Sequence, residues 1–258
     1  MAHIPQERRD AIITRILRRG HVAIKDLSTE LCVSEATARR DLRVLADAGE
    51  VELVYGGATL PRTSDHSISS RALRNAEAKR LIGELAAGLI SDQEMLYIDA
   101  GTTCYEMRHY LQRKRGLSII LNSTRLTVEL GASTDASIIQ LGGHYRADSM
   151  DAVGPLAVAA IDQLRGYLAF IGADGLGMDF GLTASDIQTA HLYQHVLKNA
   201  REAILLVDHT KFLTPSLFRI CGWEGISRIV TDIRPDPDWL AFLHESGIEV
   251  LWPSDNME

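Results

Sequence analysis

The run Val33–Gly49, Val-Ser-Glu-Ala-Thr-Ala-Arg-Arg-Asp-Leu-Arg-Val-Leu-Ala-Asp-Ala-Gly, constrains this chain more than any other stretch. Ser34 is placed to cap a helix start and Gly49 to end it. Ala38, Leu42, Leu45 and Ala46 recur at helical spacing and form one apolar face. Glu35, Arg39 and Arg43 lie four apart on another face, with Thr37 and Arg40 beside them. A short helix with arginines on its polar side, near its N-terminus, is what a major groove admits.

The flanking residues extend the pattern. Ile12, Ile13, Ile16 and Leu17 give an earlier helical face closed by Gly20. Ile24, Leu27, Ser28 and Leu31 give a second, with Val33 just beyond, and Cys32 among these residues is expected at least partly buried. From Glu50 to Leu60 the chain reads as a small hairpin turning at Gly56-Gly57. Val51, Leu53 and Tyr55 alternate and are expected to pack it against the third helix. Three helices and a hairpin make a winged helix-turn-helix over residues 1–60, with Ser34, Glu35, Thr37, Arg39, Arg40 and Arg43 as candidate DNA-contacting residues.

Residues 61–75 have turn-like composition and are expected to form a linker. Residues 76–258 then alternate between helical and strand patterns. Strands are predicted at 95–98, 119–121, 136–139, 168–171, 204–207, 227–230 and 249–251. Helices are predicted at 76–90, 103–114, 124–131, 152–164, 186–200 and 236–246. Such alternation argues an α/β domain on a largely parallel sheet. Ligands of such sheets sit beyond the carboxyl ends of the strands. That edge gathers Asp99, Gly101, Thr102 and Thr103 in one loop, Asn122 and Ser123 in a second, and Gly142-Gly143 in a third. Asp174 suits polyol hydroxyls, and Asp208 and Lys211 follow a later strand, where Lys211 either meets an anion or pairs with Asp208.

These residues carry a resemblance. Val-Ser-x-x-Thr-x-Arg-Arg-Asp-Leu-x-x-Leu, followed by Gly56-Gly57-Ala58, resembles the DeoR family of bacterial transcriptional regulators. Seven later landmarks keep the family's order: Asp99–Thr103, Asn122-Ser123, Leu141–Gly143, Gly172–Gly175, Gly181–Thr183, Asp208–Phe212 and Thr231-Asp232. The resemblance covers nearly the whole chain. It implies a repressor of carbohydrate operons, homodimeric or tetrameric, acting on double-stranded operator DNA. It also implies a sensor domain of the ribose-5-phosphate isomerase and CoA-transferase-like fold, responding to a phosphorylated sugar or polyol.

The chain departs from the family in several places. Glu52, Leu53 and Val54 stand where an arginine is usual, and no Lys or Arg lies between Arg43 and Arg62. Thr189-Ala190-His191-Leu192-Tyr193-Gln194 replaces the family's Glu-Ala-x-x-Lys-Arg, so three charged groups become neutral. Leu213 follows Phe212 where glycine is usual, and Leu121 stands where threonine is common. A pocket less charged than its relatives' is expected. An activator, or a sensor of a non-phosphorylated ligand, stays open.

Composition sets outer bounds. The net charge of −7 lies wholly outside residues 1–60, where nine Lys or Arg meet nine Asp or Glu. Local placement of arginine outweighs that sum for DNA binding. Three distant cysteines, Cys32, Cys104 and Cys221, fit a reducing cytoplasm and form no metal-ligand spacing. No run approaches a membrane span. Asp174, Asp208 and Lys211 have the chemistry for an isomerase, but no nucleophile elbow, dinucleotide fingerprint or P-loop accompanies them. A regulator without catalytic activity, cofactor or metal is the expectation.

Overall fold

The computed structural model of the protein describes residues 8–9, 11–13, 15–16, 21–47, 51–59 and 68–253. The chain divides into two compact units between Arg74 and Asn75.

The smaller unit opens with helical residues 8–9, 11–13 and 15–16. Then come β1 (His21–Ala23), α1 (Ile24–Glu30), α2 (Glu35–Asp47), β2 (Glu52–Val54) and β3 (Gly57–Thr59). The apolar faces read from spacing do converge. Ile12, Ile16, Leu27, Ala38, Leu42 and Leu45 are buried in one cluster with Val22, Val51 and Ala58. Strand order is β1-β3-β2, all antiparallel. Gly57 is obligatory, because a Cβ there would lie 2.0 Å from the Val22 carbonyl oxygen. Leu17, Gly20, Gly49, Glu50 and Leu60 lie outside the described residues.

Two local expectations fail. Cys32 is exposed, in the left-handed region (φ 53°) at the turn between α1 and α2. Only Val51 of the hairpin's alternating set is buried, whereas Leu53 and Tyr55 are exposed. The reason is strand order. β2 is an outer strand paired with β3, and on the face that Leu53 shares it is Ala58 of the central strand and Val22 of β1 that lie in the core. The expected linker is also partly wrong: Ile68–Leu73 forms helix α3, and 61–67 lie outside the described residues.

The larger unit is built on seven strands: β4 (Met95–Ile98), β5 (Ser118–Leu121), β6 (Ser137–Gln140), β9 (Leu168–Ile171), β12 (Glu202–Leu206), β14 (Arg228–Val230) and β15 (Glu249–Leu251). Their order is β15-β14-β12-β9-β4-β5-β6, and every pairing is parallel. Both faces are covered, as a parallel sheet requires. Leu96, Ile98, Ile119, Leu121 and Phe170 pack under α4 (Ala76–Gly88) and α7 (Thr124–Ser133). Tyr97, Ile120, Ala169, Ile171 and Leu205 face α8 (Pro155–Ile161), α9 (Ile187–Asn199) and α10 (Pro237–Glu245).

The predicted 103–114 helix is two short ones, α5 (Thr102–Tyr105) and α6 (Arg108–Leu111). The predicted 152–164 helix contains a strand and a shorter helix. β7 (His144–Arg146) and β8 (Asp151–Val153) form a hairpin, and Gly154 (φ 87°) then Pro155 start α8. A second antiparallel sheet, β10 (Gly175–Gly177), β11 (Gly181–Ala184) and β13 (Phe218–Cys221), was not predicted at all.

Candidate functional site

On α2 the Ser34 hydroxyl accepts the Thr37 N–H at 3.2 Å and shares a 2.9 Å hydrogen bond with the Thr37 hydroxyl. The buried side of the helix holds Ala38, Leu42, Leu45 and, unexpectedly, Asp41. Arg8 donates to that carboxylate from Nε at 2.5 Å and Nη2 at 3.1 Å, and Arg9 Nε lies 3.5 Å away. The hydrogen bond to Asp41 raises the Arg8 pKa. The pair ties the first helical segment to α2, and sequence spacing gave no signal of it. Arg15 is likewise held by Glu30 at 2.8 Å. Arg39, Arg40 and Arg43 stay exposed. Arg39 lies 3.6 Å from Glu35, while Arg40 and Arg43 form no ion pair among the described residues. The helix therefore displays unneutralised guanidinium groups on a rigid mount.

In the larger unit, the chain leaves β4 toward β5 on one side and leaves β9 toward β12 on the other. The β4–β9 boundary is thus the topological switch point, where open α/β sheets hold ligands. Asp99 sits there, 1% exposed. Its carboxylate accepts the N–H of Gly101 in its own loop and of Gly172 after β9. Tyr193 and Cys104 lie near it, and burial together with the Asp99 charge pushes both their pKa values up. Burial nonetheless pushes the Asp99 pKa up. A Cβ at position 101 would lie 2.7 Å from Asp99 Oδ1, so glycine is what lets the loop wrap the carboxylate. Asp99 organises the two loops from inside.

Other predicted residues divide by role. Thr102 and Thr103 begin α5 beside this point, each 8% exposed. Asn122 is buried; its Oδ1 accepts the Tyr97 hydroxyl at 3.1 Å and its carbonyl accepts Ala152 N–H at 2.8 Å. Ser123 is buried and caps α7 through Leu126 N–H. Gly142 and Gly143 are exposed, and a Cβ at Gly143 would meet the Val153 carbonyl at 2.6 Å. Half-buried Asp174 accepts Ser185 N–H and hydroxyl at 2.7 Å each. Asp208 is buried and accepts Asn75 Nδ2 at 3.1 Å and Thr210 N–H at 3.0 Å. Lys211, half-buried in the turn His209–Phe212, has no ion pair among the described residues, so the alternative pairing with Asp208 is not formed. His209 Nδ1 lies 2.7 Å from Asp232 Oδ2.

The neutral helix positions behave differently from one another. Tyr193 is buried, and burial together with the nearby Asp99 charge raises its pKa. Thr189 joins a cluster that sequence reasoning missed. Arg146 forks onto Asp151 at 2.9 and 2.6 Å, and reaches Asp186 at 2.6 Å and the Thr189 hydroxyl at 2.9 Å. Burial works against the Arg146 charge, but the two carboxylates outweigh it and raise its pKa. Gln194, by contrast, is exposed and donates to the Arg219 carbonyl, so it takes no part in this cluster.

The Arg146 fork predicts a measurable loss. Arg146→Ala strands buried Asp151 and frees the β7–β8 hairpin from α9. The expected cost is about 2 kcal/mol, below that of a fully buried pair because Asp186 is partly exposed. Urea unfolding checks this, with Arg146→Lys recovering only part because an ammonium has no planar fork.

Residues 8–64 match the DeoR-like helix-turn-helix domain, and residues 74–233 match the DeoR C terminal sensor domain. The chain belongs to the DeoR family. It is a DNA-binding transcriptional regulator with a winged helix-turn-helix unit and an α/β sensor unit. Among similar DeoR-type proteins is the HTH-type transcriptional regulator IolR of Bacillus subtilis, 28% identical over 236 residues, covering 91% of this chain and 94% of that protein. HTH-type transcriptional regulator GlpR of Haloferax volcanii is 29% identical, covering 96% and 98%. The glycerol-3-phosphate regulon repressor of Escherichia coli is 27% identical, covering 95% and 97%. Among solved structures, ribose 5-phosphate isomerase A of Methanocaldococcus jannaschii aligns with a TM-score of 0.40 at 18% identity, over 54% of this chain and 55% of that one. Among the described residues, no helix is long and apolar enough to cross a membrane, and no three His, Cys, Asp or Glu side chains are grouped to hold a metal ion.

Proposed function

We propose that this DeoR-family protein represses a carbohydrate operon and releases its operator when a phosphorylated sugar or polyol binds the sensor unit. The observation that carries the reading is Lys211, a half-buried ammonium without a counter-charge among the described residues. It follows β12, on the same sheet edge as Thr102, Thr103 and Asp174. An ammonium neutralises phosphate, and hydroxyls with a carboxylate fit a polyol. The relative named as a glycerol-3-phosphate regulon repressor supports that ligand class. A homodimer or tetramer pairs two α2 helices on two half-sites, which matches how helix-turn-helix proteins read operators.

The control is a linkage. Ligand that prefers the low-affinity state lowers operator occupancy by its ratio of affinities for the two states. Calorimetry with matched pairs tests the anion requirement: glycerol 3-phosphate against glycerol, ribose 5-phosphate against ribose, fructose 1-phosphate against fructose. The phosphorylated member of one pair is expected to bind at least about tenfold tighter, an advantage of about 1.4 kcal/mol. Lys211→Ala is expected to remove that advantage. Equal affinity within every pair, unaffected by Lys211→Ala, overturns the phosphate reading in favour of a neutral effector.

A further inference from the structure

Tyr55 stands at the tip of the β2–β3 hairpin with 107% relative exposure, so its side chain is fully open to solvent. It makes no hydrogen bond among the described residues. Leu53 and Val54 beside it are 47% and 40% exposed. The mount is rigid. Gly56 takes φ 79°, its carbonyl accepts Ile24 N–H at 2.9 Å, and Gly57 lies against the Val22 carbonyl. Folding gains nothing from an aromatic ring held in water, although such a ring has some 150–250 Å² to bury.

The same compact unit exposes Arg39, Arg40 and Arg43 on α2, against which the hairpin packs. The hairpin itself has no Lys or Arg, and none occurs between Arg43 and Arg62. Tyr55 lies in the turn beyond β2, three residues past Glu52.

We propose that Tyr55 is the DNA-contacting group of the wing: its ring packs on a deoxyribose of the duplex flanking the α2 site and its hydroxyl donates to a phosphate oxygen. The contact is uncharged and reads no base. Phosphate and sugar contacts fix register and orientation without carrying sequence. The proposal rests on α2 being the recognition helix.

Charge separates the two claims. An uncharged contact releases no counterion, so it changes affinity without changing the salt slope, whereas each lysine or arginine on a phosphate contributes close to one unit of slope. The experiment is fluorescence anisotropy of the full chain. The probes are a random-sequence duplex and the promoter-region duplex beside its own gene, over a salt series. Tyr55→Ala is expected to weaken both duplexes about tenfold with the slope unchanged, and Tyr55→Phe about threefold. Its thermal unfolding is expected to match the wild type. If wild-type chain binds and Arg40→Ala binds worse while Tyr55→Ala binds normally, the wing contact is wrong and the recognition helix stands. A slope lowered by Tyr55→Ala also overturns the proposal. Wild-type chain that binds neither duplex sinks both claims.

Discussion

Arg40→Ala and Arg43→Ala are each expected to cost operator affinity tenfold or more, and the double variant to abolish specific binding at physiological salt. A base-reading arginine contributes about 1–3 kcal/mol of discrimination. A phosphate-bound one weakens every duplex alike and lowers the salt slope by about one. Both side chains are exposed and without an ion pair among the described residues, so their charge is available to a partner. Arg39 is expected to matter less, because Glu35 lies 3.6 Å from it. Glu35→Gln should then tighten non-specific binding slightly by releasing that arginine. Affinities on specific and random duplexes, each across salt, assign the role of every side chain. Wild-type affinity in folded Arg40→Ala and Arg43→Ala proteins rules out α2 as the recognition helix.

The arginine face of α2 was legible because exposed residues of one helix need no partner to be placed. Period alone separates Arg39, Arg40 and Arg43 from Ala38, Leu42 and Leu45. The central parallel strands were legible too, because strands buried on both faces are continuous apolar runs such as Leu168–Ile171. The antiparallel pieces were not. Gly175–Gly177 and Gly181–Ala184 carry little strand propensity, and the glycine at 175 is there because the 214–216 backbone packs so close that a Cβ would lie 2.1 Å from the Thr214 carbonyl. The long-range polar ties were also hidden. Arg146 and Asp186 are 40 positions apart, and Arg8 and Asp41 are 33 apart. No spacing rule links such residues, so they emerge only once the strands and helices bring them together. Leu53 and Tyr55 failed in the opposite sense. Alternation gives the face of a strand, but a strand at the outer edge of a small sheet has little to pack against.

Asp99→Ala is expected to separate sensing from DNA binding. The carboxylate joins the loop after β4 to the loop after β9 across the switch point, through Gly101 and Gly172 N–H groups. Removing it leaves the Gly101 and Gly172 N–H groups without that acceptor. Each unpaired donor costs, while the lost penalty of burying a charge offsets part of the sum. A destabilisation of about 2–4 kcal/mol in the sensor unit is expected. The winged unit has its own core, so its operator binding should persist while effector response is lost. Asp99→Asn keeps the shape and supplies a pH test. Burial raises the pKa of Asp99 in the folded state. Its contribution to stability is therefore fully present below the ordinary carboxylate range and lost as pH rises through the raised folded value. Relative to Asp99→Asn, wild-type protein should lose sensor stability across that interval as pH increases. Urea unfolding at a series of pH values measures the difference. Parallel pH profiles for the two proteins would show that Asp99 is already ionised at no cost, and normal effector release in a folded Asp99→Ala protein would show that the two loops move independently of it.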